Sequence, residues 1–267
     1  MSAMTYALRS GNRLARWTRF AAPSRFYALA ERVNPWLWGL ATVLAIAGLY
    51  VGFFVAPTDA TQSEAYRIIF IHVPAAWMSM VLYLAMAFWA ALGWMLNARM
   101  ASLLARALAP TGALFTFLAL WTGAFWGKPT WGAWWVWDAR LTSELILLFL
   151  YLGFIALVAS IDDEVRGDKA GALLAVVGAV NIPIVYFSVY WWNTLHQGAS
   201  ISLTSAPKMA HTMLFAMLLM TFAFWAYAFA VAFTRAQGLA LERDREADWV
   251  LRLRSDGRAE GTTRNRQ

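Results

Sequence analysis

Six apolar runs, each long enough to cross a bilayer, leave few folds open to this chain. They lie at about residues 36–56, 68–96, 107–126, 144–160, 171–190 and 209–233. A helix of about 20 apolar residues spans the ~30 Å hydrocarbon core. Only 14% of the residues are charged, against roughly 25% in a soluble domain. The expected fold is therefore an all-α membrane protein, a six-transmembrane-helix bundle.

The charges between the runs set an expected orientation. All but four of the 22 basic residues fall in the N-terminal segment, the 97–106 and 161–170 connections, and the tail from Thr234. The four exceptions are Arg67, Lys128, Arg140 and Lys208. Basic residues concentrate in cytoplasmic segments, so both termini are expected in the cytoplasm and the 57–67, 127–143 and 191–208 connections outside. Residues 1–35 read as a basic cytoplasmic arm, 36–233 as the transmembrane domain and 234–267 as a charged cytoplasmic tail. The net charge of +7 then reflects orientation in a lipid bilayer, and no nucleic-acid partner is expected. No cleavable signal is evident, because no small-residue cleavage site closely follows the long first run.

Local signals refine the outline. Pro35, Trp36 and Trp38 are expected to mark the start of the first helix, and Pro57 its outer end. Gly48 and Gly52 form a G-x-x-x-G pattern that permits close helix packing. A short amphipathic helix is expected around Leu239–Leu253. The chain has no cysteine, so it supplies no disulfide, thiolate metal site or Cys-x-x-Cys-His haem attachment.

The outer connections are unusual for their indole content. Trp121, Trp126, Trp131, Trp134, Trp135 and Trp137 fall close together, and Trp191 and Trp192 lie in the next outer segment. A tryptophan at a membrane interface is ordinarily an anchor, which is the reading for Trp36, Trp38 and Trp225. An anchor belt needs only one or two per helix end. The 131–137 cluster instead offers flat, rigid π-faces on which a planar ligand could stack.

Three histidines are present: His72, His196 and His211. His72, in Phe-Ile-His-Val-Pro, lies near the outer end of the second run. His196 follows the fifth run, in Trp-Trp-Asn-Thr-Leu-His-Gln-Gly. The topology puts both on the face that carries the tryptophans. Two imidazoles beside an aromatic platform match the needs of a haem, axial nitrogens for iron and apolar contact for the macrocycle. Haem propionates seek cations at the rim; Arg140 is the best candidate, with Lys128, Arg67 and Lys208 in the same sparse set. Asp138 either holds Arg140, orients an indole N–H or solvates the loop. His211 reads as a packed or hydrogen-bonded residue.

Residues 131–142, Trp-Gly-Ala-Trp-Trp-Val-Trp-Asp-Ala-Arg-Leu-Thr, resemble the tryptophan-rich "WWD" signature of haem-handling membrane proteins. The body from about 36 to 233 resembles the CcmC family, the haem-delivery subunits of bacterial system I cytochrome c maturation. That resemblance implies His72 and His196 as axial ligands, with Trp131, Trp134, Trp135, Trp137 and Asp138 lining a platform for a transient, non-covalent haem b. It implies an inner-membrane location and a set of partners: the periplasmic haem chaperone CcmE, a CcmA/CcmB-type ABC ATPase and permease, and a CcmD-type small membrane peptide.

Other classes fit less well. A haem–cytochrome c ligase of the same superfamily, or a b-type redox subunit, would call for a further histidine pair inside the bilayer, and His211 alone cannot make one. A solute transporter would line a path with ionisable residues, yet Glu144 and Asn181 are among the few polar residues within the runs. Gly123–Lys128 is one residue too short for a Walker A loop and lacks the following Ser or Thr. The chain is expected to bind and hand over, with ATP hydrolysis left to a partner.

Overall fold

The computed structural model describes residues 22–196, 198 and 209–255. Six helical stretches are long and apolar enough to cross a membrane. The first is α1 (Pro23–Tyr50), extended by a π-helical turn at Val51–Val55. A 3₁₀ turn (Glu64–Ile68) leads into α2 (Ile69–Leu96), followed by α3 (Arg99–Trp131) and α4 (Ala139–Ala159). The fifth stretch is two helices in series, α5 (Glu164–Gly178) and α6 (Asn181–Trp191), and the sixth is α7 (His211–Arg243). Among the described residues there is no strand longer than a single bridge. The protein is a multi-pass membrane protein.

The boundaries are set by caps. Asp138 and Asp163 precede α4 and α5, and each side chain accepts the backbone N–H three residues on, satisfying a donor that the helix leaves open. Asn97 ends α2 and Gly132 ends α3, both in the left-handed region. These caps account for two departures from the sequence expectation. Gly132, not Gly127, is where the backbone turns, so the expected 127–143 loop is helical at both ends and only 132–138 is irregular. The 97–106 connection shrinks to a tight turn at Asn97–Ala98.

Pro35 does not open the first helix: α1 begins at Pro23 and runs through it. The extra turns are held by packing, since Phe26 and Ala30 are buried with Met100, Leu103, Ala107, Ala236 and Ala240. Asn34 also donates to Thr234 at 2.6 Å. The amphipathic tail helix is broken at Asp244, which ends α7. A short second helix follows from residue 248, tied back by the Trp249 indole N–H donating to Asp244 at 2.9 Å. Trp225 is no interfacial anchor; it lies mid-way along α7, half-buried beside Phe229.

Small residues let the helices approach closely, as packing within lipid requires. A Cβ on Gly112 of α3 would sit 2.2 Å from the Tyr151 ring of α4. The G-x-x-x-G of α1 serves two neighbours: Gly48 leaves room for Met220 of α7, and Gly52 for Phe70 of α2. At the opposite end from the histidines, Arg243 pairs with Asp168 at 2.8 Å and with Glu164. Arg106 lies 3.7 Å from Asp168, and Arg99 pairs with Asp244. These pairs fasten the start of α3, the start of α5 and the end of α7.

Candidate functional site

The site begins with the second turn of α2, which places His72 in the bundle at 7% exposure. Its Nδ1 lies 3.1 Å from the Thr122 hydroxyl of α3. Thr122 has one proton, and its hydroxyl also lies 2.6 Å from the Leu118 carbonyl, an obligate acceptor. The hydroxyl therefore accepts from His72, which assigns the proton to Nδ1 and the lone pair to Nε2, where no described residue donates to it. A ligand histidine typically donates its second nitrogen in this way. Gly123 makes room for the ring, since a Cβ there would stand 3.0 Å from His72 Cε1. Trp126 packs edge-on to His72 with centroids 5.5 Å apart. Its indole N–H donates to Gln62 of the 57–67 connection at 2.8 Å.

His196 comes from the segment after α6 and is held by a relay from α4. Asp138 caps α4 by accepting from Leu141 N–H at 2.8 Å, and it also accepts the Thr194 hydroxyl. Thr194 in turn accepts the His196 backbone N–H at 3.0 Å. The two imidazole centroids stand 6.1 Å apart, with their planes at 35°. A metal held between two imidazole nitrogens at about 2 Å each leaves the centroids roughly 6 Å apart once the ring radii are added. The spacing thus fits bis-imidazole ligation of one metal. Among the described residues no group of three or more His, Cys, Asp or Glu side chains could hold a bare ion. A metal that arrives already bound in a macrocycle needs only two axial donors.

Both histidines line a pocket of about 1320 Å³, open mouth included, that is walled by α2, α3, α4, α6 and α7. Its surface is largely apolar, from residues such as Trp77, Leu120, Tyr186, Tyr190 and Met217. Arg140 and Glu144, one turn apart on α4, both reach it. Arg140 donates to the Val185 carbonyl of α6 at 2.6 Å.

The sequence profile of the CcmC family, described as heme exporter protein C, matches residues 16–251. The heme exporter protein C of Escherichia coli K12 is 44% identical over 88% of this chain and 95% of its own length. That of Bradyrhizobium diazoefficiens is 48% identical over 76% of this chain and 77% of its own. A ccmC-like mitochondrial protein of Marchantia polymorpha, named for cytochrome c biosynthesis, is 47% identical over 67% and 76%.

The chain belongs to the CcmC family.

Of the residues that the family resemblance and the charges singled out, the pocket gathers His72, His196, Trp131 and Arg140. Trp131 stands 6.3 Å from His196. The other three tryptophans of the signature lie elsewhere. Trp134 packs edge-on to Phe125, while Trp135 and Trp137 pair with each other and, with Trp121, line a groove on the outer flank of α3 and α4. The reason is local: the chain leaves α3 at Gly132 and must reach the Asp138 cap in six further residues, and the extended path turns these rings away from the pocket. Asp138 holds neither Arg140 nor an indole; it is a cap and a tether. Lys128 closes the end of α3 on the Gly132 carbonyl. Arg67 donates to the carbonyls of Gly52 and Ala56 and so secures the end of α1. Lys208 lies outside the described residues. His211, expected to be packed or hydrogen-bonded, is exposed at the first turn of α7 and so is not packed.

Thr122, Gly123, Trp126, Gln62 and Thr194 escaped the sequence reading as site residues. Trp126 alone carried a signal, as one of the clustered tryptophans.

Proposed function

We propose that this protein binds a b-type haem non-covalently between His72 and His196 and delivers it for cytochrome c maturation, in keeping with relatives named for heme export and for cytochrome c biosynthesis. What supports the reading above all is the 6.1 Å separation of two imidazoles across an apolar pocket, with the His72 Nε2 lone pair left open by the bond to Thr122. Trp131 would contact the macrocycle and Arg140 would meet a propionate. The chain's own residues bind, orient and exclude water, and no chemical step is assigned to them.

The histidine end would face the periplasm of a bacterial inner membrane. The basic residues support this orientation, because most of those described lie at the opposite end and the positive-inside rule puts that end in the cytoplasm. Haem would then pass to the periplasmic chaperone CcmE. Trp134 and Trp137, both exposed, give that chaperone an aromatic surface beside the pocket. A CcmA/CcmB-type ATPase and permease and a CcmD-type peptide would complete the complex and supply ATP hydrolysis.

Haem stoichiometry tests the reading. The detergent-purified protein is expected to take up one haem per chain, and to lose it when apo-CcmE is added. Two haems per chain, or none, would contradict it. A topology reporter fused at Gly127 should report the periplasm; a cytoplasmic signal would overturn the proposed orientation.

A further inference from the structure

Among the described residues that line the pocket, Glu144 is the one acidic side chain, and the haem reading leaves it without a task. It is 5% exposed and lines the cavity one turn below Arg140 on α4. Its Oε1 lies 2.7 Å from the Ser79 hydroxyl, and its Oε2 is buried with no partner among the described residues. No cation stands within ion-pair distance of it among those residues. Ser79 has a single proton, and its hydroxyl also lies 2.8 Å from the Ala76 carbonyl. The carboxyl thus has at most one contested donor, where a buried carboxylate needs several. An orphaned polar atom of this kind calls for an explanation, and a ligand group is one.

Position supports the same conclusion. Ser79 lies seven residues beyond His72 on α2, about 10 Å along the axis, so Glu144 marks a level two turns below the histidine. Arg140 lies between the two levels, and among the described residues one of its N–H donors is taken, by the Val185 carbonyl. A planar ligand centred level with His72 would bring an edge substituent to this pair.

We propose that Glu144 is a specificity-determining residue of the pocket. It shares one proton with an acidic substituent of the bound porphyrin while Arg140 donates to the same group. The proposal rests on the haem reading and adds the selection of a free carboxyl group at the inner edge. Arg140 alone would attract any anion. Adding Glu144 restricts the site to an acid that can share a proton, since two unprotonated carboxylates repel in a low dielectric. An esterified or decarboxylated porphyrin would lose this contact.

The test compares haemin with its dimethyl ester by Soret titration of the whole protein in detergent. The wild type should bind the diacid at least about tenfold more tightly, the effect of one hydrogen bond to a charged group. Glu144→Gln, whose amide can still donate, should keep that preference to within about threefold. Glu144→Leu should reduce it by about tenfold and leave ester binding unchanged. Infrared difference spectra supply a second measurement that mere packing would not move: a carboxylic C=O band should shift when haemin binds to the wild type and be absent from Glu144→Gln. Equal weakening of both porphyrins in Glu144→Leu, an unchanged preference, or no such band would overturn the assignment. No Soret change in the wild type with either porphyrin would instead remove the haem reading beneath it.

Discussion

The two ends of the bundle treat their polar groups in opposite ways. At the charged end, Arg243, Asp168, Glu164, Arg99 and Asp244 find partners in one another, and together they tie α3, α5 and α7. At the histidine end, polar atoms face a cavity with valences unfilled, as the His72 Nε2 lone pair and Glu144 Oε2 do. The first arrangement pairs each of these charges and stabilises the fold, although Asp168 Oδ1 meets Arg106 only at 3.7 Å and accepts no hydrogen bond among the described residues. The second sacrifices stability for binding capacity. Mutations at the two ends should therefore separate cleanly into effects on stability and effects on haem.

Arg243→Ala should give the largest effect on stability. Arg243 and Asp168 are both about nine-tenths buried, and removing one member of a buried pair costs about 3–5 kcal/mol. Unfolding in detergent should show the loss, while the Soret band of the remaining folded protein stays unchanged. A spectral change would mean that the two ends are coupled.

Thr122→Val should show the opposite pattern. Losing the acceptor for Nδ1–H removes the fixed tautomer of His72, and such supporting contacts are worth about 10–100-fold in affinity. Thr122→Ser should restore binding. If Thr122→Val lowers only the unfolding temperature, the contact is structural.

A smaller contrast lies within the tryptophan signature. Trp131→Ala should weaken haem binding by about tenfold or less, the scale of one aromatic contact. Trp137→Ala, at a residue 78% exposed, should leave haem affinity unchanged and slow transfer to the chaperone. The reverse result would place the ligand on the outer groove.

The spans were legible because apolar length is a property of the sequence alone. The ends of α3 were not, because Pro129 suggests a break that the helix absorbs, and only the left-handed conformation of Gly132 ends it. His72 and His196 could be paired by topology. Thr122 and Gln62 could not, since each gains its meaning when α3 or the 57–67 segment packs beside the site. Asp138 is the instructive case. Asp-Ala-Arg-Leu before an apolar run is a helix-start pattern, and that local role, together with the tether to Thr194, outweighed the electrostatic partners considered for it. Glu144 stood out as a polar residue within a run, but its unfilled oxygen is visible only in three dimensions.

The most direct test is the axial ligation of ferric haem, read by electron paramagnetic resonance on the purified protein. The wild type should give a low-spin bis-imidazole signal. His72→Ala and His196→Ala should each convert it to high spin with one imidazole, and the double variant should retain no haem. A wild-type high-spin signal, or a low-spin signal that survives either substitution, would contradict the pairing of these two histidines.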